Sequence, residues 1–214
     1  MIRHEVFNKY AAEYDAWFEK YPFVFQTELA AIRKLWPQQQ NIKSLEIGCA
    51  TGRFAKELNI LEGIDPSLAL CSIAEQRGVV SICGIGENLP YQNNQFDVVL
   101  INFCISYFTR PQLALNESLR VLKPGGAVIV GFLKKESMIG AYYESRRAQD
   151  VFYKDATFFS VPEIEAMMNK AGYVNLEVWQ TLFHPLEAVA TVEECIPGSN
   201  IGSYIFIKAF RKSA

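Results

Sequence analysis

Leu45-Glu46-Ile47-Gly48-Cys49-Ala50-Thr51-Gly52-Arg53-Phe54 divides into three parts. Ser44–Ile47 is a short apolar run that reads as the end of a buried strand. Gly48–Gly52 is a turn of small residues. Arg53–Leu58 reads as a helix start. A strand, a small-residue turn and a helix let backbone approach a ligand closely, with the helix N-terminus facing it. A second apolar run, Ile60–Ile64, ends at Asp65. A carboxylate at the end of a second strand can accept from two ribose hydroxyls.

Outward from this stretch the same pattern repeats. Strand-length apolar runs fall at Ser44–Ile47, Ile60–Ile64, Val79–Cys83, Phe96–Asn102 and Ala127–Phe132. Helical stretches fall between them, near 52–58, 67–77 and 111–122. This alternation predicts an α/β fold with a mostly parallel sheet and helices on both faces. Ser67 is a plausible N-cap and Gly78 a helix stop. Lys123-Pro124-Gly125-Gly126 predicts a turn, because proline stops the helix and glycine permits positive φ. Tyr173–Leu182 and Ser203–Phe210 read as an antiparallel closing pair.

Upstream, Phe7, Tyr10, Tyr14, Trp17 and Phe18 recur mostly at steps of three and four. That is helical spacing with one aromatic face, suited to a core cap or to a lid over a pocket. Phe23–Trp36 reads as a second helix, stopped by Pro37. Residues 134–160 interrupt the alternation and read as an inserted helical segment. Glu163 and Glu165 lie near the start of the helix that follows, with Pro162 in its first turn. The expected organisation is one domain over 1–214. Residues 1–40 form an N-terminal helical lid, 41–133 the ligand-binding core, 134–160 the inserted lid segment, and 161–214 the last helix and closing strands.

Bulk properties narrow the function classes. A hydrophobic share of 50% with 21% charged residues suits a globular chain with a large core. A net charge of −2 disfavours a grip on nucleic acid phosphates. Five cysteines without a C-x-x-C pair, and two widely separated histidines, argue for free thiols in a reducing compartment and against a metal site. The first residues carry no apolar signal core, and Val98–Ser106 is too short to span a bilayer. A soluble cytoplasmic protein, monomer or homodimer, with no nucleic acid or membrane partner, is expected.

Four motifs stand in order along the chain. They are Glu46-Ile47-Gly48-Cys49-Ala50-Thr51-Gly52, then Ile64-Asp65-Pro66-Ser67, then Gly86-Glu87-Asn88-Leu89-Pro90-Tyr91 leading to Phe96-Asp97-Val98, then Leu119–Gly126. Together they resemble the class I S-adenosylmethionine-dependent methyltransferases, in the small-molecule branch typified by ubiquinone/menaquinone methyltransferases. Tyr10-Ala11-x-x-Tyr14-Asp15-x-Trp17-Phe18 resembles the cofactor lid of that branch. The resemblance implies a Rossmann-like, doubly wound, mostly parallel seven-stranded sheet with an antiparallel C-terminal strand. It implies S-adenosylmethionine as cofactor, S-adenosylhomocysteine as product, and a small-molecule methyl acceptor.

Residue by residue, the resemblance assigns Glu46 to the ammonium group and Asp65 to the ribose. The turn Gly48, Cys49, Ala50 and Gly52 lies against the amino acid end, and Asn102 and Phe103 against the methionine portion, with Tyr14 closing over. Adenine is expected between Pro66 or Ser67 and Leu89, near Gly86, Glu87 and Asn88. Relatives carry an acid where this chain has Ile85, so backbone of Gly86 or Glu87, or an inward-pointing Glu87, is expected to replace it. Ala50 stands at the motif's middle glycine and fits without crowding if its φ is negative. Roof candidates are Phe7, Tyr14, Trp17, Tyr142, Phe152, Tyr153 and Phe158, which suit a partly apolar acceptor. Tyr14, Tyr107, His184 and His4 are the only candidates for a catalytic group. Two competing readings share these features: a cofactor-binding protein without transferase activity, and an NAD-linked oxidoreductase. The G-x-G-x-x-G spacing of the latter fails at Ala50 and Arg53.

Overall fold

The computed structural model describes residues 5–213. Among them, eight strands form one sheet in the order β3-β2-β1-β4-β5-β8-β6-β7. The strands are β1 (Ser44–Ile47), β2 (Glu62–Asp65), β3 (Val80–Cys83), β4 (Phe96–Asn102), β5 (Leu122–Leu133), β6 (Tyr173–Thr181), β7 (Ile196–Pro197) and β8 (Tyr204–Arg211). The first five run parallel, while β8 runs antiparallel between β5 and β6. The strand beyond the expected seven is β7, two residues paired to the edge of β6.

Four-residue β1 is buried at every position, as a strand covered by helices on both faces must be. The observed β2 begins later than the apolar run suggests. Asn59 adopts φ 55° and Ile60 N–H reaches back to the Ala55 carbonyl, so this residue still belongs to the end of the preceding helix. The Lys123–Gly126 segment lies within β5 as a break in its ladder with β4. Pairing jumps from Phe96–Leu122 to Val98–Ala127, and Gly125 takes φ 77°.

The helices are α1 (Glu5–Lys9), α2 (Ala11–Lys20), α3 (Pro22–Leu35), α4 (Arg53–Leu58), α5 (Leu68–Gln76), α6 (Pro111–Val121), α7 (Met138–Arg146) and α8 (Val161–Ala171). The N-terminal aromatic stretch is two helices rather than one, broken where Tyr10 leaves helical geometry. Pro22 occupies the start of α3, where its missing N–H costs nothing. The helix α8 opens with a full capping box between Ser160 and Glu163 and ends at Gly172 with φ 103°. None of these helices is long and apolar enough to cross a membrane.

Two apolar clusters flank the sheet. One gathers Phe18, Val24, Ile32, Phe54, Leu133 and Phe206 under the N-terminal helices. The other gathers Leu45, Ile101, Leu115, Val130, Ile164 and Ile207 on the opposite face. An ion cluster fastens the N-terminal helices to the core. Arg53 donates from Nε and Nη2 to the two oxygens of Asp15, at 2.9 and 2.8 Å. Arg77 Nη2 donates to the same carboxylate at 2.7 Å, while its Nη1 donates to the Thr51 carbonyl. Burial alone would raise the Asp15 pKa, but hydrogen bonds from Arg53, Arg77 and Thr51 outweigh it and hold the carboxyl well below its usual range.

Asp15→Ala removes the shared partner of two enclosed guanidinium groups and should lower stability at neutral pH by about 1–3 kcal/mol. The Asp15 carboxyl is depressed in the folded state, so its contribution is present above the unfolded carboxylate pKa near 4. It fades as pH falls through the lower folded value. Urea unfolding of both proteins at neutral and acidic pH reads this directly. Equal stability at neutral pH would show that the cluster contributes nothing.

Candidate functional site

The sheet order places β1 between β2 and β4, so the chain reverses direction across the sheet beside β1, and a crevice opens at the carboxyl ends of these strands. It is a cavity of about 620 Å³, within the range of small-molecule sites. Glu46, Gly48, Cys49, Ala50, Asp65, Pro66, Gly86, Glu87, Asn102 and Phe103 all line it, as do Tyr14 and Tyr107.

Asp65 organises the floor. Its Oδ2 accepts the Ala50 N–H at 3.1 Å and its Oδ1 the Ser67 N–H at 2.9 Å. Each oxygen keeps a second acceptor direction for a ligand hydroxyl. Burial pushes this carboxyl up to about 6, against the pull of the Ser67 and Ala50 N–H groups. Ser67 caps α5 through its hydroxyl. The N–H groups of Gly48 and Cys49 both donate to the Ile64 carbonyl, tying the turn to β2.

Glu46 is 2% exposed. One carboxylate oxygen accepts the Ala55 N–H, and Oε2 has no hydrogen-bond partner. Burial, together with the nearby Asp65 charge and against that N–H, raises its pKa well above the usual range. A buried, orphaned carboxylate oxygen on a cavity wall is costly by itself, and a cationic donor bound in the cavity satisfies it.

Ala50 stands at φ 47°, the left-handed region, so the condition under which its methyl group fits without crowding is not met. The Ala50 N–H bond to Asp65 holds it there. Gly48, at φ 72°, has no room for a side chain, because a Cβ would overlap Cys104. Gly52 lies off the cavity. Its φ of 73° and its contact with Ala74 and Val79 show that it lets α4 pack closely on α5.

Several expected residues fall elsewhere. Leu89 is 4% exposed and packs in the opposite apolar cluster with Phe96 and Leu115, and Asn88 is exposed, so neither faces the cavity. The apolar wall near Pro66 is instead formed by Leu70, Ile85 and Phe108. Glu87 faces the cavity but is already committed, accepting the N–H groups of Thr109 and Arg110 through Oε1. His184 lies on the surface, 2.6 Å from Glu193, and does not line the cavity. His4 lies outside the described residues. Among roof candidates, Phe7, Tyr14, Trp17, Phe152 and Tyr153 line the cavity. Tyr142 is half exposed and Phe158 is buried in the core, while Tyr143 takes the place expected for Tyr142. The Tyr107 phenol is raised by burial and by acidic neighbours, so it stays neutral.

A buried acid also lay outside the expected set. Glu28 of α3 is 7% exposed and lines the cavity beside Asn102. Its signal was present in the sequence: Val24, Glu28, Ala31, Ile32 and Leu35 form one helical stripe, and an acid interrupts it. Among the described residues, no group of three His, Cys, Asp or Glu side chains is placed to hold a metal ion.

This geometry matches known proteins. A methyltransferase-domain family profile matches residues 45–130. The crystal structure of an S-adenosylmethionine-dependent methyltransferase from Thermotoga maritima superposes with a TM-score of 0.94 at 37% identity, covering 98% of this chain and 100% of that one. The chain belongs to the S-adenosylmethionine-dependent methyltransferases. An uncharacterised protein of Methanocaldococcus jannaschii is 38% identical over 95% of this chain and 98% of its own length. The ubiquinone/menaquinone biosynthesis C-methyltransferase of Campylobacter jejuni is 28% identical over 74% of this chain and 68% of its own. Membership in this methyltransferase family fixes S-adenosylmethionine as the cofactor and sets the NAD-linked reading aside.

Ala50→Gly should release left-handed strain and raise stability by about 0.5–1 kcal/mol, after allowing for the greater freedom of glycine in the unfolded chain. A chemical denaturation midpoint measures it. A loss of stability would mean that the Ala50 methyl contributes packing that exceeds the strain.

Proposed function

We propose that this methyltransferase transfers the methyl group of S-adenosylmethionine to a small, partly apolar acceptor held beneath the aromatic roof. The observation that carries the reading is the buried pair of acids at the ends of adjacent strands. Glu46 has an oxygen without a partner, and Asp65 is pinned by two backbone N–H groups. Glu46 takes the ammonium group, and Asp65 takes the ribose hydroxyls. Gly48, Cys49 and Ala50 lie against the amino acid end. Pro66, Leu70, Ile85 and Phe108 enclose adenine, with backbone of Gly86 at its edge. When bound, the cofactor supplies an already activated sulfonium methyl.

The chain's own residues position the acceptor and exclude water. Tyr14 from α2, Tyr107, and Phe152 and Tyr153 from the 134–160 insertion surround Phe7 or Phe103 at ring-centroid distances of 5.1–6.2 Å. Aromatic faces also steady a cationic sulfonium. Phe103 holds φ 65° at the end of β4. Strain of this kind persists where surrounding contacts fix a side chain. Two relatives frame the acceptor: the Campylobacter jejuni protein is a C-methyltransferase of quinone biosynthesis, and the Thermotoga maritima protein is described as a "possible histamine N-methyltransferase".

Asp65→Asn should weaken S-adenosylmethionine binding by about 1.5–3 kcal/mol, because the ribose hydroxyls lose a charged acceptor. The folded Asp65 carboxyl titrates near 6, and hydroxyl donors favour its ionised form. Affinity of the wild type should therefore rise as pH rises through about 6 and then level, a rise that the variant lacks. Isothermal titration calorimetry across that range decides it. Unchanged affinity in the variant would remove the ribose role.

A further inference from the structure

The charge of the cavity is lopsided. Five acids line it: Glu28, Glu46, Asp65, Glu87 and Asp150. The only Lys or Arg lining it among the described residues is Arg53, already bound to Asp15 and Glu19. Glu87 Oε1 accepts the Thr109 and Arg110 N–H groups, and Asp150 Oδ1 accepts those of Phe152 and Tyr153. The cofactor reading above employs Glu46 and Asp65. Glu28 is left without a task.

Its position differs from that of the other two acids. Asp65 ends β2 and Glu46 lies on β1, whereas Glu28 stands on α3 beside Asn102 at the end of β4. Asn102 Oδ1 accepts the Tyr204 hydroxyl at 3.0 Å, and Tyr204 lies on β8, paired with Leu133 of β5. Asn102 and Tyr204 therefore lie on the β4–β8 side of the sheet, beyond β1 from Asp65, with adjacent strands about 4.8 Å apart. Gly131, opposite Asn102 on β5, leaves space for that side chain, since a Cβ there would overlap Asn102 Oδ1. The ring of Phe103 stacks beside Tyr204, and Tyr153 stands beside Phe103. A buried carboxyl group on the wall of an aromatic cavity, with no cation beside it, is the pattern that receives a nitrogen base. A phenolate would instead meet three uncompensated acids.

We propose that Glu28 binds the nitrogen of a small aryl-alkyl amine acceptor and takes the proton this nitrogen releases on methylation. The inference rests on the methyl-transfer reading. The amine enters as its ammonium ion, paired to the Glu28 carboxylate. A proton passes from nitrogen to a Glu28 carboxylate oxygen. The freed lone pair forms the bond to the sulfonium methyl carbon, and the carbon–sulfur pair returns to sulfur. The products are the methylated ammonium, S-adenosylhomocysteine and protonated Glu28, which then loses its proton to solvent. The groups facing Glu28 are Tyr14 from α2, Asn102 from β4 and Tyr204 from β8. None is a cation. Burial, opposed by the Asn102 hydrogen bond, pushes the Glu28 carboxyl up to about 8. In the protein without acceptor it is protonated at neutral pH, and an arriving ammonium ion displaces that proton.

The test uses the full chain saturated with S-adenosylhomocysteine. Benzylamine, phenethylamine and tryptamine are titrated calorimetrically against benzyl alcohol, phenethyl alcohol and tryptophol. The wild type should bind at least one amine about 10-fold or more tighter than its alcohol. Proton release should appear as a dependence of the heat on the buffer's ionisation enthalpy. Glu28→Gln should lose both the preference and the proton release, while S-adenosylhomocysteine affinity stays within about twofold. Equal or tighter alcohol binding, binding of neither series, or a preference retained in Glu28→Gln would overturn the inference. The wild-type comparison stands even if the variant does not fold. Absence of S-adenosylhomocysteine binding would instead remove the methyl-transfer reading beneath it.

Discussion

Two backbone N–H groups, from two different turns, meet on one carboxylate. Asp65 accepts from Ala50 after β1 and from Ser67 before α5. These bonds close the floor of the cavity from both sides. They hold Ala50 at a positive φ that an alanine does not choose alone. They also keep the carboxylate enclosed, at a cost that its raised pKa records. A site that spends folding energy in this way is preorganised: ligand hydroxyls meet a carboxylate already oriented, rather than one that must be ordered on binding.

The roof is fastened by a second carboxylate with the opposite electrostatics. Asp15 is paired to Arg53 and Arg77 and is depressed, whereas Asp65, Glu46 and Glu28 are enclosed without cations and are raised. Desolvation acts on all four. What separates them is whether a guanidinium stands within hydrogen-bond reach. The cations cluster on the outer seam between α2, α4 and α5, and the uncompensated acids point inward. This segregation leaves the interior lined by acids without a cation of their own, while the seam ties α2 to α4 and α5.

The parts legible in the sequence were those set by periodicity and by glycine and proline. The ends of β1 and β4 were readable because fully buried strands are continuous apolar runs. Loops were less legible. Leu89 is apolar and stands in a familiar motif, but a loop has no period to say which face it turns, and its side chain packs away from the cavity. Tyr142 and Tyr143 are adjacent on α7, about 100° apart. Only Tyr143 shares the inward stripe with Ile139, and an aromatic count could not separate them. The positive φ of Ala50 depends on a hydrogen bond fifteen residues away, which no local pattern encodes. Glu28 is a different case. The stripe of α3 is legible from its apolar residues, yet the acid on it is the most informative residue in it.

That asymmetry of information has a physical basis. A buried apolar residue on a helix lowers the free energy of the fold wherever the core is, so its presence says little about chemistry. A buried acid with no cation beside it raises that free energy, and a fold retains it only where other contacts outweigh the loss. Glu28 and Glu46 are both of this kind, on the wall of one cavity, and their burial is what makes them costly. A cation bound in the cavity satisfies both groups, whereas a neutral occupant leaves their desolvation unopposed.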